Sequence, residues 1–442
     1  MKIMLKVAKF GGSSLASAEQ FQKVANIVKS DSSRRYIIPS APGKRFDDDT
    51  KVTDILYSCY EQAERGEDFS DQLLNIQDRY MDIICGLELE MSLDGEFELI
   101  RENFKNKIGS AYGASRGEYL NGLILAKYLG FKFVDAISVI RFNADGTLNH
   151  KGTNALLKKM VAPLENAVIP GFYGSDKSGE IRTFSRGGSD ITGSLVALAV
   201  EADVYENWTD VSGFLIADPR IVKKPKSIEI ITYRELRELS YMGASVLHDE
   251  ALYPVKSSGI PIHIKNTNRP EDKGTLIVEN TSRKPQYTIT GIAGHQGFSS
   301  ITIQKALMNN EIGFCRKILQ VFEDNNISIE HMPSGIDTMT IIVNKDYFED
   351  NEQQVLSSIH KAVHPDTIEL ESDLGLIAIV GRGMRSTRGT AGRIFSALAH
   401  AHINVKMIDQ GSCELNIIIG VKNSDFQNAI RAIYEIFVDT VI

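Results

Sequence analysis

The chain of 442 residues is predicted to have an α/β fold: an open, mostly parallel sheet with helices on both faces, followed by two smaller α+β units. Two observations predict this architecture. Short apolar strand patterns alternate with helical patterns over the first part of the chain, as in parallel sheets. From about residue 289 onward, two segments of the chain then repeat one another.

The first predicted strand runs directly into a glycine turn. Residues 3–7 alternate between apolar and polar side chains, and Gly11 and Gly12 follow. A capping-box pattern then begins a helix. Backbone N–H groups of such a strand–turn–helix can bind an anion, and Lys9 adds a positive charge. The pattern indicates a phosphate-binding turn, although an ordinary strand–helix connection has the same appearance.

The next elements follow from apolar periodicity and from turn residues. Between residues 36 and 183 the pattern predicts, in order, a strand at 36–41, a loop at 42–51, mainly helix at 52–108, a loop at 113–117, a helix at 118–129, strands at 131–136 and 167–172, and two short strands around a turn at 176–179. Strands alternating with helices in this way favour a parallel sheet covered on both faces.

A second glycine turn repeats the pattern of the first. Arg186 precedes Gly187 and Gly188, and Ser189 and Asp190 open a helix. The alternative is a plain helix start with an acidic first turn. Residues 204–208 then form a strand that ends at Thr209 and Asp210, and polar residues at strand ends bind ligands in open α/β sheets. A β-turn with Asp-Pro chemistry is the alternative for the segment beyond it.

Composition excludes several classes of partner. A formal net charge of −8 argues against nucleic-acid binding. The four cysteines are far apart and form no CxxC pair, which favours a reduced, cytoplasmic compartment. The first residues enter a strand pattern without the features of a signal peptide. No apolar run reaches the roughly 18 residues that a membrane span requires.

The repeat near the C-terminus has a constant offset. Ile377 follows Ile301 by 76 residues, and Ile403 follows Ile327 by the same 76. Each unit has the pattern strand, loop, helix, strand, strand, helix. Because each unit is too small to bury much core alone, we expect the two to pair within the chain or between chains.

Taken together, these motifs resemble those of the monofunctional aspartokinases, and the resemblance runs essentially from end to end. It rests on Lys-Phe-Gly-Gly-Ser-Ser, on Ser-Arg-Gly-Gly-Ser-Asp, and on Trp-Thr-Asp-Val-x-Gly with Ala-Asp-Pro-Arg. It implies an amino acid kinase domain at 1–285 and two ferredoxin-like ACT regulatory domains at 286–370 and 371–442. We expect no fused homoserine dehydrogenase. Consistent with the resemblance, the chain has no P-loop motif.

The resemblance implies phosphorylation of the L-aspartate side-chain carboxylate by ATP, the first step of lysine, threonine and methionine biosynthesis. Mg²⁺ would arrive bound to ATP, and no metal site made by the protein is expected. By resemblance, Lys9 stabilises the transferring phosphoryl group and Asp190 orients Lys9. The substrate-binding positions are Ser40, Thr53, Glu118, Phe172, Arg186 and Ser189. The nucleotide-binding positions are Gly11, Gly12, Thr209, Asp210 and Arg220.

Two features depart from the family. Ser245 stands where relatives have a lysine near the nucleotide, and Leu215 stands where many have tyrosine. We therefore expect either weaker ATP binding or another cation, Lys256 or Lys265, that takes the place of the missing lysine. The loop at 42–51 is longer than in many relatives and carries several basic residues. It is either an electrostatic lid or a solvated loop, and we favour the solvated loop.

The ACT repeat implies feedback inhibition by an end-product amino acid, with lysine preferred over threonine. The matching effector positions are Met308, Gly313, Phe314, Glu330 and Ser334. Among them, Glu330 supplies the anion that a cationic amino acid requires, although an exposed strand carboxylate is the alternative. ACT domains bury their sheets against partners, so we expect a homodimer or a dimer of dimers.

Two other functions remain as alternatives. One is an amino acid kinase that acts on glutamate, acetylglutamate or a nucleotide. The other is a catalytically silent amino-acid sensor, which Ser245 and Leu215 would favour. An ADP-release assay with different acceptors distinguishes them.

Overall fold

The computed structural model describes residues 4–185, 187–243 and 254–440. These residues form two compact units. The first unit contains those within Met1–Phe214, Glu229–Tyr233 and Val246–Thr281, and the second contains those within Leu215–Ile228, Arg234–Ser245 and Ser282–Ile442. Two segments that precede residue 285 therefore belong to the second unit.

The first unit is built on an eight-stranded sheet with the order β3-β4-β2-β1-β7-β9-β10-β8. Its strands are β1 Lys6–Phe10, β2 Arg34–Pro39, β3 Lys132–Phe133, β4 Ala167–Val168, β7 Val204–Thr209, β8 Ile230–Thr232, β9 Ile262–Asn266 and β10 Thr275–Val278. Neighbouring strands are parallel except for β9 and β10. The mostly parallel α/β sheet predicted from the sequence is confirmed.

Helices cover this sheet, and a separate hairpin lies beside it. The helices are α1 Ala18–Lys29, α2 Val52–Arg65, α3 Ser70–Gly86, α4 Asp94–Lys105, α5 Ser110–Leu129, α6 His150–Met160 and α7 Gly188–Ala199, whereas α8 Tyr233–Tyr241 belongs to the second unit from residue 234 onward. The hairpin consists of β5 Tyr173–Ser175 and β6 Ile181–Thr183. Ser17 caps α1 by accepting a hydrogen bond from the Gln20 N–H, as the capping-box pattern predicted. The apolar faces of α1 to α5 share one core with β1 and β2.

Three predicted boundaries were wrong. Residues 113–117, predicted as a loop, belong to α5. The strands predicted at 131–136 and 167–172 are each only two residues long in the structure, where they are β3 and β4. The glycines at the start of α5 serve close packing, because a Cβ on Gly117 would lie 2.7 Å from the Ala41 Cβ and one on Gly113 would lie 3.0 Å from the Phe104 ring.

The second unit contains a six-stranded antiparallel sheet with the order β12-β13-β11-β14-β16-β15. Its strands are β11 Gly291–Gln304, β12 Ile329–His331, β13 Thr338–Asn344, β14 Thr367–Val380, β15 Met407–Asp409 and β16 Asn416–Lys422. Its helices after residue 285 are α9 Phe314–Asp324, α10 Lys345–Phe348, α11 Glu352–Val363, α12 Thr390–His400 and α13 Phe426–Tyr434.

The predicted internal repeat is confirmed. The bounds of β11 and β14, and those of α9 and α12, differ by 76 residues at both ends (367 − 291, 380 − 304, 390 − 314 and 400 − 324). The two long strands β11 and β14 pair along their whole length and join the repeats into one sheet. The second half of β11 pairs with β13, and the second half of β14 pairs with β16. Neither repeat therefore completes its sheet without the other.

The described helices differ from membrane-spanning helices in length or in polarity. None of them combines the length and the apolar character needed to cross a bilayer.

Candidate active site

Three parallel strands of the first unit end at one edge of the sheet. Phe10 of β1 is in register with Pro39 of β2 on one side and with Trp208 of β7 on the other. The Phe10 and Trp208 rings also stack, with centroids 5.9 Å apart. Gly11 follows β1, Ser40 follows β2, and Asp210 follows Thr209, the last residue of β7. The polar strand ends predicted from the sequence thus share one edge, where open α/β sheets bind ligands.

The first glycine turn requires glycine for steric reasons. The Gly11 N–H donates to the Trp208 carbonyl at 2.9 Å, and the Gly43 N–H donates to the Gly12 carbonyl at 2.8 Å. A Cβ on Gly12 would lie 2.9 Å from the Ala41 carbonyl oxygen, and one on Gly43 would lie 2.5 Å from the Gly12 carbonyl carbon. The backbones of the two segments therefore touch, and only glycine fits at both positions.

Lys9 of β1 and Asp190 of α7 form a buried ion pair. The Lys9 Nζ lies 2.6 Å from the Asp190 Oδ1. Asn207 of β7 joins them, since its Nδ2 donates to the Asp190 Oδ1 at 2.8 Å and its Oδ1 accepts from the Lys9 Nζ at 3.4 Å. The Lys9 Nζ is also 3.9 Å from the position that a Cβ on Gly11 would occupy. The ammonium thus lies between the first glycine turn and the helix that follows the second.

The second glycine turn packs against residues 171–172. Gly187 has a φ of 59°, in the left-handed region, and α7 begins at the next residue. A Cβ on Gly171 would lie 2.5 Å from the Ser189 Oγ, and one on Gly188 would lie 2.7 Å from the Phe172 ring. Ser189 and Phe172 are therefore neighbours, as predicted for one pocket. Arg186, the predicted clamp for the α-carboxylate of aspartate, lies outside the described residues.

A cleft of about 690 Å³ opens beside the first glycine turn. Its lining contains five of the predicted site residues, namely Gly12, Ser40, Thr53, Glu118 and Asp210. The rest of the lining is Ser13, Ala41, Pro42, Gly43, Lys44, Arg45, Phe46, Asp47 and Lys51. The loop at 42–51, for which we favoured a solvated loop over an electrostatic lid, forms a wall of this cleft while most of its residues remain exposed.

Glu118 is the most perturbed acid of the cleft. It is 6% exposed, and its Oε2 has no hydrogen-bond partner in the part of the chain that the structure describes. Burial raises the pKa of Glu118 to about 8, against the lowering effect of hydrogen bonding by the Ala41 backbone and of the nearby Arg116 charge. A buried acceptor without a partner is suited to an incoming cation.

Arg116 lies two residues before Glu118 in α5 and is itself held by aromatic rings. Its guanidinium lies 4.4 Å from the centroid of the Tyr119 ring and 4.6 Å from that of Tyr112. Its Nη2 donates to the Ser115 Oγ at 2.9 Å. The rings and the hydroxyl hold this cation inside the fold, where it favours the ionised form of Glu118.

The predicted nucleotide-binding residues are only partly brought together. The Thr209 Oγ1 donates to the Asp210 Oδ1 at 3.2 Å, and the Asn266 side chain donates to the Asp210 carbonyl at 3.2 Å. Arg220 belongs to the second compact unit, and its side chain is 88% exposed. Its guanidinium is bound by Asp218 at 2.6 Å. Thr209 and Asp210 are therefore neighbours in the first unit, and the place of Arg220 in the nucleotide site stays a prediction.

The cations considered in place of the missing family lysine lie in the first unit. The Lys265 Nζ is 5.3 Å from the Trp208 ring centroid, and burial lowers the pKa of Lys265. The Lys256 Nζ is 6.0 Å from the Tyr233 ring centroid. Ser245 lies outside the described residues. Lys265 of β9 is in register with Trp208 of β7, one residue before Thr209.

The predicted effector residues lie in the first repeat of the second unit. Met308 and Phe314 are buried in its core, and Gly313 has a φ of 86° at the start of α9. The Glu330 carboxylate of β12 accepts a hydrogen bond from the Tyr241 hydroxyl of α8, which raises the pKa of Tyr241 to about 12. Ser334 forms an isolated bridge with Met339.

Sequence reasoning missed two residues of this region. Asn207 sits in a buried strand, where a polar side chain is itself a signal of a function. Arg79 of α3 is 3% exposed and hydrogen-bonds to the 42–51 loop. Nothing in the helical pattern around Arg79 distinguishes it from a solvent-facing arginine, so only the structure identifies it.

Known proteins were compared with this chain. A profile of the amino acid kinase family matches residues 4–266, and an ACT domain profile matches residues 377–437. Aspartokinase 3 of Bacillus subtilis is 42% identical over 98% of both chains. The aspartate kinase of Clostridium acetobutylicum superposes with a TM-score of 0.93 at 51% identity, covering 98% of this chain and 100% of that one. Escherichia coli aspartokinase III in complex with lysine and aspartate superposes with a TM-score of 0.73 at 25% identity, covering 98% of this chain and 99% of that one.

Proposed function

The chain belongs to the amino acid kinase family as an aspartokinase, and on that premise we propose how its residues perform the reaction. The enzyme is an aspartate kinase, and the roles of its individual residues, its inhibitor and its assembly are proposals. ATP donates its γ-phosphoryl group to the side-chain carboxylate of L-aspartate, which gives 4-phospho-L-aspartate and ADP. The product enters lysine, threonine and methionine biosynthesis.

The carboxylate of aspartate is already a nucleophile, so the reaction needs no general base. Catalysis then depends on alignment of the two substrates and on neutralisation of the charge on the transferring phosphoryl oxygens. Lys9 would supply that charge, and the N–H groups of the Gly11–Gly12 turn would donate to the phosphates. Asp190 would hold the Lys9 ammonium in place, with Asn207 fixing the orientation of the pair.

Aspartate would bind with its ammonium group on Glu118. The orphaned Oε2 of Glu118 supports this assignment, because a buried carboxylate is stabilised once a cation arrives. Ser40 and Thr53, which line the same cleft, would contact the substrate beside it. Ser189 and Phe172 would complete the pocket, and Arg186 would clamp the α-carboxylate through its two-pronged guanidinium.

ATP would bind along the strand ends, with Thr209 and Asp210 on the nucleotide. In the described ranges no group of three or more His, Cys, Asp and Glu side chains is arranged to hold a metal ion. We propose a Mg²⁺ that arrives with ATP and is liganded mainly by the phosphates, and Asp210, a carboxylate of the cleft lining, is the residue that would help to hold it. Mg²⁺ would neutralise part of the phosphate charge. Arg220, exposed and paired with Asp218, has the weakest support as a nucleotide ligand.

The Lys9–Asp190 ion pair is the observation that carries the proposal, because it joins residues of both glycine turns 181 positions apart (190 − 9) at one buried point. The test is an ADP-release assay with aspartate, with glutamate and without acceptor. We expect ADP release when aspartate is the acceptor, and none with glutamate or without an acceptor. Equal release with glutamate would favour another amino acid kinase activity, and no release with any acceptor would favour a silent sensor.

Lysine is the proposed inhibitor, with threonine as the second candidate. The lysine complex of the related Escherichia coli enzyme supports this assignment, and so does the carboxylate of Glu330, which suits a cationic amino acid. Because Glu330 accepts the Tyr241 hydroxyl, lysine would have to displace that bond. Inhibition by lysine, tested against threonine in the same ADP-release assay, checks the assignment.

The remaining assignments concern organisation. We propose a homodimer or dimer of dimers formed through the ACT region, cytoplasmic localisation, and domain boundaries at 1–285, 286–370 and 371–442. The edge strands β12 and β15 support association, since each pairs with one strand only among the described residues. Light scattering on the purified protein measures the oligomeric state.

A further inference from the structure

A buried arginine ties together the two ends of the loop that lines the cleft. Arg79 of α3 is 3% exposed, and its Nη1 donates to the Thr50 carbonyl at 2.9 Å. Its Nη2 donates to the Gly43 carbonyl and lies 3.4 Å from the Asp49 Oδ2. A buried guanidinium needs partners, and these three all belong to one loop. Because Gly43 and Thr50 lie at opposite ends of that loop, the arginine closes it.

The interior of the loop is also ion-paired. The Arg45 Nε lies 2.9 Å from the Asp49 Oδ2, and the Arg45 N–H donates to the same oxygen at 2.9 Å. The hydrogen bond from the Arg45 side chain holds the pKa of Asp49 well below its usual range, and the Arg79 charge adds to the effect. The loop is thus fixed from inside by Arg45 and from α3 by Arg79.

Basic and acidic side chains of this fixed loop both reach the cleft, since Asp47 is part of its lining and Arg45 is already paired with Asp49. Lys44, Arg45 and Lys51 also line the cleft. The Lys51 ammonium forms no ion pair with any residue that the structure describes, so its charge is available to a ligand. The loop also reaches the first glycine turn directly, because the Gly43 N–H donates to the Gly12 carbonyl at 2.8 Å. The Gly43 peptide is therefore held by Arg79 on one side and by the proposed phosphate-binding turn on the other.

We propose that Arg79 is a positioning residue, which holds the 42–51 loop as the wall of the cleft that offers the unpaired Lys51 ammonium to the phosphates of ATP. The proposal rests on the proposed function of the cleft. The alternative is that Arg79 only stabilises the fold. These two roles predict different effects of an Arg79 substitution. If Arg79 only stabilises the fold, the substitution lowers the unfolding temperature alone. If Arg79 positions the loop, the substitution also weakens ATP binding and makes the 42–51 loop less ordered.

The experiment compares Arg79→Met and Arg79→Lys with Arg65→Met, an exposed arginine of the neighbouring helix α2. For each variant, kcat and the KM for ATP and for aspartate are measured, together with the rate of trypsin cleavage after Lys44, Arg45 and Lys51. For Arg79→Met we expect an ATP KM raised about tenfold, the scale of one charged contact, with kcat within about threefold of wild type. Trypsin should cut the loop at least about tenfold faster. Arg79→Lys should fall between Arg79→Met and wild type, and Arg65→Met should match wild type.

An ATP KM and a loop cleavage rate equal to those of wild type, with only the unfolding temperature lowered, would overturn the proposal. Should Arg79→Met fail to fold, Asp49→Asn tests the same clamp, since it removes the carboxylate that joins Arg79 to Arg45. Its predicted effects have the same direction, and wild-type values for it would equally overturn the proposal. If wild type itself releases no ADP with aspartate, the proposed function fails, while the cleavage rates still decide whether Arg79 orders the loop.

Discussion

The pH dependence of aspartate binding follows from the environment of Glu118. Its pKa of about 8 in the free enzyme means that the carboxylate is ionised in roughly one-tenth of molecules at pH 7 and in about half at pH 8. If the substrate ammonium binds only the ionised form, the apparent affinity scales with that fraction. The KM for aspartate is therefore expected to fall about fivefold between pH 7 and pH 8, and to level off above pH 8.

The matched variant is Glu118→Gln, which keeps the size of the side chain and removes its titration. Its KM for aspartate should not show the fall between pH 7 and pH 8. At pH 8 this KM should exceed that of wild type by at least about tenfold, because a hydrogen bond to a charged group contributes roughly 1.5–3 kcal/mol. Initial rates of ADP release at several pH values, at saturating ATP, give both profiles.

The free energy of unfolding should fall over the pH range in which aspartate binding becomes stronger. The pKa of Glu118 is raised from 4.5 in the unfolded chain to about 8 in the folded one, so the folded state keeps a proton that the unfolded state has lost. The stabilisation that wild type has below pH 4.5 is lost as pH rises toward 8, by at most about 5 kcal/mol at 1.36 kcal/mol per pKa unit. A wild-type KM that is flat across this range, or a Glu118→Gln profile with the same slope as wild type, would refute the reasoning.

Two further predictions concern regulation and packing. Glu330→Ala should abolish lysine inhibition and leave kcat unchanged. Tyr241→Phe should lower the lysine concentration that gives half inhibition about two- to tenfold, because lysine no longer has to break the Tyr241–Glu330 hydrogen bond. An unchanged half-inhibiting concentration in Tyr241→Phe would contradict this competition. Gly117→Ala should destabilise the protein by roughly 1–3 kcal/mol through overpacking against Ala41, while Gly95→Ala, with open space around it, should stabilise it by about 0.5–1 kcal/mol. Denaturant unfolding of both variants checks the contrast, and equal shifts would contradict it.

The sequence predicted those features that depend on local pattern. The capping box at Ser17 and the 76-residue repeat are both present in the structure because period and cap chemistry act over a few residues. The first strand was also predicted, but it covers Lys6–Phe10 rather than the alternating residues 3–7, of which residue 3 lies outside the described residues. The pairing of Lys9 with Asp190 was implied by the resemblance to aspartokinases, and the two side chains do meet in the structure.

Features that depend on tertiary contact could not be predicted in the same way. Gly113 and Gly117 suggested a loop, but they lie inside α5, where contacts with Phe104 and Ala41 leave no room for a side chain. The 42–51 loop is polar, as solvated loops are, yet Arg79 of a helix some 30 residues away (79 − 49) fixes it against the cleft. The pKa of Glu118 likewise depends on burial, which no spacing in the sequence reveals.

The central claim is that residues of both glycine turns act on one transferring phosphoryl group, and the kcat of Lys9→Ala measures this most directly. The variant should retain its fold, and its kcat should fall roughly 100- to 1,000-fold, the scale of one preorganised charge-stabilising donor. Lys23→Ala, which removes an ammonium of α1 that is paired only at the surface, should keep the wild-type kcat. A loss of less than about threefold in Lys9→Ala would contradict the claim.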